Sequence, residues 1–299
     1  MMQQRSPKWK LIAAMVIFGT IGLFVRHISL PSSVIALCRG VTGTVFLLAL
    51  LFWRKLQLDL AAIRKNFLWL ALSGIAIGFN WILLFESYRY TSVAVSTLCY
   101  YLAPILVILV SPLILKERLT GKKLTCVVVA LTGMVCLSGV LQGGMPKGGE
   151  LKGILFGLSA AVLYASVMLL NKQLAGISAL EKTILQLSIA AVTLLPYCLL
   201  TLEGTILTVD VKTLLLLIFV GVIHTGVAYA LYFDALGAIK GQTAAILSYI
   251  DPVVAVLASV LLLREPMQSV EAIGAVLILG AAVVSEVQLP QKAKKGEEQ

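Results

Sequence analysis

The chain has 299 residues, of which 60% are hydrophobic and 13% are charged, and it carries a formal net charge of +10. Soluble domains carry about 25% charged residues, and here the shortage runs along the whole chain, with a mean hydropathy of +0.99. These values exclude an ordinary soluble domain and predict an all-α polytopic membrane protein. Because the basic residues fall in short loops between apolar segments, the positive charge indicates membrane orientation and not a nucleic-acid surface.

Ten apolar segments are long enough to cross a bilayer, which takes about 20 residues. In chain order they cover 9–29, 32–53, 66–86, 91–115, 121–141, 151–171, 177–201, 211–234, 238–263 and 268–286. Gly, Pro and charged residues mark the breaks, and the Gly-rich connector 142–150 divides the chain into two halves. The polar residues 287–299 are expected to form a short disordered cytoplasmic tail.

The two halves share an outline of residues that returns 148 positions later. The matching pairs are Tyr101 with Tyr249, Pro104 with Pro252, and Lys116-Glu117 with Arg264-Glu265. Because five helices are an odd number, the second unit, 151–286, would enter the membrane from the side opposite to the first, 9–141. We therefore predict ten transmembrane helices in two inverted five-helix repeats. This architecture is typical of transporters whose substrate site lies where the repeats meet.

Charge in the loops predicts the orientation. With the N-terminus in the cytoplasm, seventeen Lys and Arg residues lie in cytoplasmic loops and tails and six lie in outer loops. Cytoplasmic loops carry the excess of basic residues, so both termini are expected in the cytoplasm. We expect a multi-pass protein of the plasma membrane, which is the inner membrane in a Gram-negative cell. Residues 11–25 are apolar but are followed by no small-residue cleavage site, so no cleaved signal peptide is expected.

The repeated outline resembles a known family. The residues that carry it are Thr91-Ser92, Pro104, Lys116-Glu117 and Gly133, with second-half echoes at Pro252, Arg264-Glu265 and Gly280. Over residues 9–286 this pattern resembles the EamA family of the drug/metabolite transporter superfamily. The resemblance implies export of amino acids or other small metabolites, driven by the proton gradient in some relatives and not in others. The pair Asp251-Pro252 departs from its counterpart Ala103-Pro104, and this asymmetry bears on proton coupling.

Ionisable residues at membrane depth are costly, so each is a candidate for function. Asp251 lies halfway along 238–263, and His224 lies near the middle of 211–234. Asp251 could bind a substrate cation or carry a proton, and His224 could take up a proton near neutral pH. Either side chain could instead be neutral and hydrogen-bonded to a neighbouring helix. If the two share one cavity, replacing both should harm transport no more than replacing either one.

Arg39 lies seven residues into the second segment, and a buried Arg needs a partner. That partner is either a substrate carboxylate or Glu86, and the structural pair with Glu86 is slightly favoured. Glu117 and Glu265 lie at helix ends, where we expect them to pair locally or to cap a helix.

Polar and aromatic residues near the membrane midplane predict a substrate site. They are Asn80, Trp81, Tyr100, Tyr101, Tyr229 and Tyr249. Aromatic rings with hydroxyl groups suit a mostly apolar, partly polar small molecule, while interhelical packing is the alternative. Pro104 and Pro252, which disturb their helices, are candidate gating positions. Gly19 and Gly22 are candidate hinges that would let substrate approach the first helix.

Nothing in the sequence proposes an enzyme. The five cysteines lie in apolar segments without a CxxC pair, so reduced thiols and no metal or cofactor are expected. P-loop, GxSxG and HExxH motifs are absent. The expected partners are a small-molecule substrate, the lipid bilayer and, if transport is coupled, protons; a monomer and a homodimer both stay open. The rival hypotheses are a sugar-phosphate or nucleotide-sugar carrier, which would need several basic residues in its cavity, and a non-transporting membrane protein or intramembrane enzyme.

Overall fold

The computed structural model describes residues 5–114, 120–137, 148–202, 207–236, 238–239, 244 and 247–287. Within these residues all regular structure is helical. The helices are α1 (Arg5–Gly19), α2 (Ile21–Val25), α3 (Ser32–Trp53), α4 (Leu60–Tyr90), α5 (Val93–Tyr100), α6 (Ala103–Ile114), α7 (Gly121–Leu137), α8 (Gly148–Asn171), α9 (Ala179–Thr201), α10 (Val211–Phe219), α11 (Ala228–Leu236), α12 (Ile250–Leu257) and α13 (Ser269–Glu286). Two π-helical segments, Val220–Val227 and Ala258–Leu262, follow α10 and α12.

Seven helical stretches of the described residues are long and apolar enough to cross a membrane. They are Pro7–Val25, Ser32–Trp53, Leu60–Tyr90, Val93–Ile114, Gly149–Asn171, Ala179–Thr201 and Val211–Ala235. Two shorter apolar helices, Ile250–Leu262 and Ser269–Ser285, follow them. The chain is therefore an all-α polytopic membrane protein, as predicted. The predicted segment 121–141 is helical over α7, and its last residues lie outside the described part of the chain, as does Glu117.

Ion pairs mark the two ends of the helix bundle, and we name each end after one residue. At the Asp234 end, Asp234 meets Arg54 at 2.6 Å and Lys10 at 3.2 Å. At the Arg26 end, Arg26 meets Glu265 at 3.2 Å. Each cluster joins residues from the first half of the chain to a residue from the second half. The two halves are thus connected at both ends of the bundle.

Two helix breaks precede Pro104 and Pro252. Proline has no N–H to donate and disturbs the preceding turn, so the predicted segment 91–115 is divided into α5 and α6. Tyr101, in the first break, has φ −74° and ψ 4°. Tyr249, in the second, has φ −74° and ψ −4°. The two repeat-related tyrosines therefore have nearly the same backbone conformation.

The core at the centre of the bundle forms where α3 and α4 pack against α9, with Leu47, Phe85 and Leu187 fully or almost fully buried. Besides its contacts in this core, α3 packs against the π-helical segment Val220–Val227. A Cβ atom added at Gly43 would lie 3.1 Å from Cβ of Thr225, which is closer than most side chains tolerate. This close approach brings the middle of α3, including Arg39, against Thr225.

Candidate functional site

A cavity of about 580 Å³ lies inside the bundle, between residues of both halves of the chain. Every side chain that the sequence predicted to bind substrate lines it. These are Arg39, Asn80, Trp81, Tyr100, Tyr101, Tyr229 and Tyr249. Asp251, Pro104 and Gly19 line it as well. The described lining is thus rich in aromatic rings and includes the buried guanidinium of Arg39 and the carboxylate of Asp251.

The carboxylate of Asp251 is held by the other half of the chain. Tyr101 donates its hydroxyl to Oδ2 of Asp251 at 2.5 Å. The ring of Tyr249 lies beside that of Tyr101, with 6.5 Å between the ring centroids. The two helix breaks therefore meet in one contact, in which the first contributes a phenol and the second a carboxylate.

Arg39 is buried at 6% exposure, and no carboxylate of the described residues lies within 4 Å of its guanidinium nitrogens. Its Nε donates to Oγ1 of Thr225 at 2.8 Å, and its guanidinium carbon lies 4.1 Å from the centroid of the Trp81 ring and 5.9 Å from that of Phe85. A guanidinium over an aromatic face gains about 0.5–2 kcal/mol. Arg39 takes part in none of the four ion pairs within 4 Å that the described residues make.

The favoured pair between Arg39 and Glu86 is wrong. Glu86 instead meets Arg89, with 3.6 Å between Oε1 and Nη1. Trp81 and Phe85 are four residues apart and share the face of α4 that covers Arg39, and the next residue along, Glu86, is turned by about 100°. Terminal guanidinium nitrogens of Arg39 are thus left without a carboxylate among the described residues, beside the cavity.

Tyr100 and Asn80 form the second polar group in the wall. Tyr100 donates to Oδ1 of Asn80 at 3.5 Å, and Nδ2 of Asn80 donates to the carbonyl of Ala160 at 2.6 Å. The Tyr100 ring stacks on Tyr164 at 4.9 Å between centroids and 20° between planes. Sequence reasoning missed Tyr164, although a tyrosine in the middle of the apolar segment 151–171 is the same signal that singled out Tyr100.

The cavity extends to the Asp234 end of the bundle, where α8 ends and α9 begins. Asn171, Lys182 and Gln186 line it there. Gln186 donates to Oγ of Ser73 at 2.6 Å and to Oδ1 of Asn171 at 2.7 Å. Arg39 is the one basic residue among the substrate-binding candidates named from the sequence, and sequence analysis missed Lys182. At the Arg26 end, the described lining stops near Tyr88.

His224 does not line the cavity, contrary to the hypothesis that it shares one with Asp251. Its Nε2 lies 3.2 Å from Oγ1 of Thr20, and the rings of Phe24 and Phe219 lie 5.0 Å and 5.4 Å from its own. The neighbouring residue Thr225 faces Arg39, so in the π-helical segment His224 is turned towards α2. His224 thereby contacts the residue that separates α1 from α2.

The glycines proposed as hinges lie in close helix contacts. A Cβ added at Gly19 would lie 2.8 Å from Cβ of Val254, and one added at Gly22 would lie 3.2 Å from Cγ2 of Val93. Gly19 borders the cavity, whereas Gly22 and Pro252 are buried away from it. At Gly19 and Gly22 the absence of a side chain permits close packing of α1 against α12 and of α2 against α5.

Glu265 is held in structural contacts at the Arg26 end. It accepts from the backbone N–H of Val93 at 2.9 Å and from Oγ of Ser259 at 2.5 Å, besides its ion pair with Arg26. It therefore helps to cap α5, a helix of the other half of the chain. All five cysteines are free thiols, and the described residues contain no group of three His, Cys, Asp or Glu side chains placed to hold a metal.

A bundle of apolar helices around a polar and aromatic cavity is the arrangement of a membrane protein that takes up a small molecule at mid-depth. The sequence profile of the EamA-like transporter family matches residues 9–139 and again residues 151–286. The chain belongs to this family, as its resemblance indicated, and is a transporter of the EamA type.

Several relatives share most of its length. The uncharacterized transporter YxxF of Bacillus subtilis (strain 168) is 28% identical over 97% of this chain and 93% of its own. A probable amino-acid metabolite efflux pump of Escherichia coli (strain K12) is 29% identical, over 54% of this chain and 57% of its own. A protein of known crystal structure with 21% identity covers 94% of this chain and 96% of its own with a TM-score of 0.63, so it has the same fold.

Proposed function

We propose that the chain is a secondary transporter that exports a small organic metabolite, an amino acid or a related aromatic compound, by alternating access. The observation that carries this proposal is the cavity in which Arg39 and Asp251 lie among aromatic rings, with Arg39 in no ion pair of the described residues. Its volume of about 580 Å³ is within the ~300–1,000 Å³ usual for small-molecule sites. Arg39 would bind the substrate carboxylate, and the rings would cover its apolar part. The relatives named as amino-acid metabolite efflux pumps support the substrate class.

Alternating access requires two units that can exchange conformations, and the packing supports ten helices in two such units, 9–141 and 151–286. If the two units are equivalent, each contact between them should have a counterpart in which the units have changed places, and three such pairs of contacts are present. The contact of α4 with α8 corresponds to that of α1 with α11, and the contact of α4 with α9 corresponds to that of α3 with Val220–Val227. The contact of α5 with α8 corresponds to that of α1 with α12. The contacts of α7 with α13 and of α3 with α9 would each map onto themselves. The double match of the family profile agrees with the same division.

Helix directions support an inverted relation between the units. Arg26 follows α1 and α2, so these run from the Asp234 end to the Arg26 end. The start of α8 lies at the Arg26 end, because Ser87 donates to the carbonyl of Gly153 at 2.7 Å, and α8 runs from there to Asn171. The first helices of the two units thus run in opposite directions. With both termini in the cytoplasm, the Asp234 end would face the cytoplasm of a plasma-membrane protein.

We infer that Asp251 couples transport to protons. Its bond to Tyr101 joins the two units in the wall of the cavity, so adding a proton to the carboxylate would change a contact between the parts that are proposed to move. His224 is the weaker candidate of the two predicted proton carriers, since its partner Thr20 lies outside the cavity lining.

Two basic groups in the cavity do not make it a phosphate carrier. Arg39 is the eighth of the 22 residues of α3, which begins at the Arg26 end, whereas Lys182 is the fourth residue of α9, which begins at the Asp234 end. A phosphate bound by one would not reach the other, and phosphate recognition calls for converging donors. The arrangement therefore favours a substrate with a single carboxylate over a sugar phosphate.

The test is a ligand screen followed by flux. Amino acids, amines, nucleosides and sugar phosphates are screened for a rise in apparent unfolding temperature of the purified protein, because a ligand of the folded state stabilises it. Hits are assayed in proteoliposomes with and without a pH gradient. We expect amino acids to bind, and the Asp251→Asn variant to lose the response of flux to the gradient, while the exposed control Glu150→Gln keeps it.

Two results would contradict this proposal. If flux in Asp251→Asn still follows the gradient, Asp251 is structural. If sugar phosphates bind and amino acids do not, or if a lipid is chemically converted without any flux, the transported class or the transporter mechanism is different from the one proposed.

A further inference from the structure

A second, smaller cavity lies at the Arg26 end of the bundle. Its volume is about 410 Å³, and it is lined by residues at the end of α2, the start of α3 and the end of α4. The polar residues of its lining are Arg26, Ser29, Ser32 and Arg89. None of the described residues that line it is acidic. We call this cavity the Arg89 pocket.

The two arginines retain free donors. Arg26 makes its contacts with the carbonyls of Tyr88 and Thr91 and with Glu265 through Nη1, so Nε and Nη2 have no partner among the described residues. Arg89 meets Glu86 at 3.6 Å, which is longer than a hydrogen bond. Neither Glu86 nor Glu265 lines the pocket. A small anion could therefore accept from both arginines without displacing either carboxylate.

Ser32 gives an independent indication that a ligand is bound here. It is 1% exposed, it lines the pocket, and its Oγ has no hydrogen-bond partner among the described residues. Leaving a buried polar group without a hydrogen-bond partner destabilises the folded protein. Ser32 also opens α3, a helix of 22 residues whose N-cap, Pro31, supplies no side-chain acceptor. Helix N-termini attract anions, so one bound anion would satisfy both the hydroxyl and the helix end.

The Arg89 pocket adjoins the central cavity. Tyr88, which is 3% exposed, lines both. Ile35 lines the pocket and precedes Arg39 on α3 by four residues, a rise of about 6 Å. Phe85 lines the pocket too, and its ring centroid lies 5.9 Å from the guanidinium carbon of Arg39. A layer about one side chain thick thus separates Arg39 from the pocket.

We propose that the Arg89 pocket is a second carboxylate-binding site, occupied by the transported metabolite when it has passed Tyr88. The source of the carboxylate rests on the proposed function, whereas the anion chemistry of the pocket stands on its own residues. Guanidinium groups match carboxylate geometry with paired donors. Arg39 and the Arg89 pocket would be successive binding positions for the same carboxylate along one route.

Benzoate, a simple aromatic carboxylate, tests this by isothermal titration calorimetry on the full-length protein in phosphatidylcholine nanodiscs. We expect two binding sites. Arg39→Gln removes the central one, and Arg89→Gln weakens benzoate binding at the other by about tenfold or more, as loss of a charged hydrogen bond predicts. Ser32→Ala weakens the same site less. Lys152→Gln, which removes an exposed charge beside Tyr90 at the same end but outside the pocket, leaves both sites unchanged.

A single benzoate site that is insensitive to Arg89→Gln overturns the proposal. If the second site disappears when anionic phosphatidylglycerol replaces zwitterionic phosphatidylcholine, the headgroup of an anionic lipid occupies the pocket and the metabolite route is wrong. If Arg39→Gln removes no site while Arg89→Gln removes one, the central carboxylate site of the proposed function fails and the pocket stands.

Discussion

The two helix breaks at the centre of the protein share a backbone and differ in chemistry. Tyr101 and Tyr249 have the same φ and nearly the same ψ, each three residues before a proline. Ala103 precedes the first proline and is fully buried, while Asp251 precedes the second and faces the cavity. Two breaks with nearly the same backbone conformation thus differ in that only the second carries a carboxylate. That carboxylate also makes the hydrogen bond that connects the two breaks.

The largest effect is expected when a carboxylate is placed in the first helix break as well. Ala103 packs against Ala161 and Ala165 of α8, so Ala103→Asp buries a charge among small apolar side chains. An uncompensated buried charge costs about 3–5 kcal/mol. We expect the variant to lose most of its folded yield and thermal stability, as measured by fluorescence-detected size-exclusion chromatography after heating.

Ala103→Ser, which is nearly isosteric and uncharged, is the control and should remain folded. Combining Ala103→Asp with Asp251→Ala should not restore gradient-driven flux. If it does, the two breaks are interchangeable in function, and the position of the carboxylate carries no information.

A milder change removes the phenol that bridges the two breaks. Tyr101→Phe deletes the hydrogen bond to Asp251 but keeps the ring, and a hydrogen bond to a charged group contributes about 1.5–3 kcal/mol. We expect gradient-driven flux in proteoliposomes to fall and its pH dependence to shift. Tyr249→Phe is the matched variant from the second break and should change both quantities less. Equal effects of the two variants would show that the bond to Asp251 has no special part in coupling.

The sequence predicts well how deep in the membrane a residue lies, and it predicts poorly which side of its helix the residue faces. Length and apolarity give depth, so the segment 32–53 coincides with α3 from Ser32 to Trp53. Depth also selected the polar and aromatic residues, because a polar side chain at the midplane has few places to go except a cavity. Their roles in binding stay predictions.

Direction around a helix was harder to predict. The pair of Arg39 with Glu86 was plausible in depth, but Trp81 and Phe85 occupy the face of α4 that meets Arg39. His224 is at the right depth for Asp251 and points elsewhere, because residues 220–227 form a π-helical segment. Those eight residues contain no proline, and their two glycines, Gly221 and Gly226, weaken a helix without specifying a wider turn. The wider turn alters which way each side chain faces.

The smallest effect is expected from replacing His224. This replacement tests whether Asp251 alone carries the proton. His224→Gln keeps a side chain able to hydrogen-bond with Thr20, so we expect a stability loss of about 1 kcal/mol. Flux should still follow the pH gradient in proteoliposomes, in contrast to Asp251→Asn. The double variant should behave as Asp251→Asn does, since a residue outside the cavity adds nothing once the coupling group is gone. A loss of the gradient response in His224→Gln alone would instead make the contact between His224 and Thr20 part of the coupling, and would move the proton site from the second helix break to the one between α1 and α2.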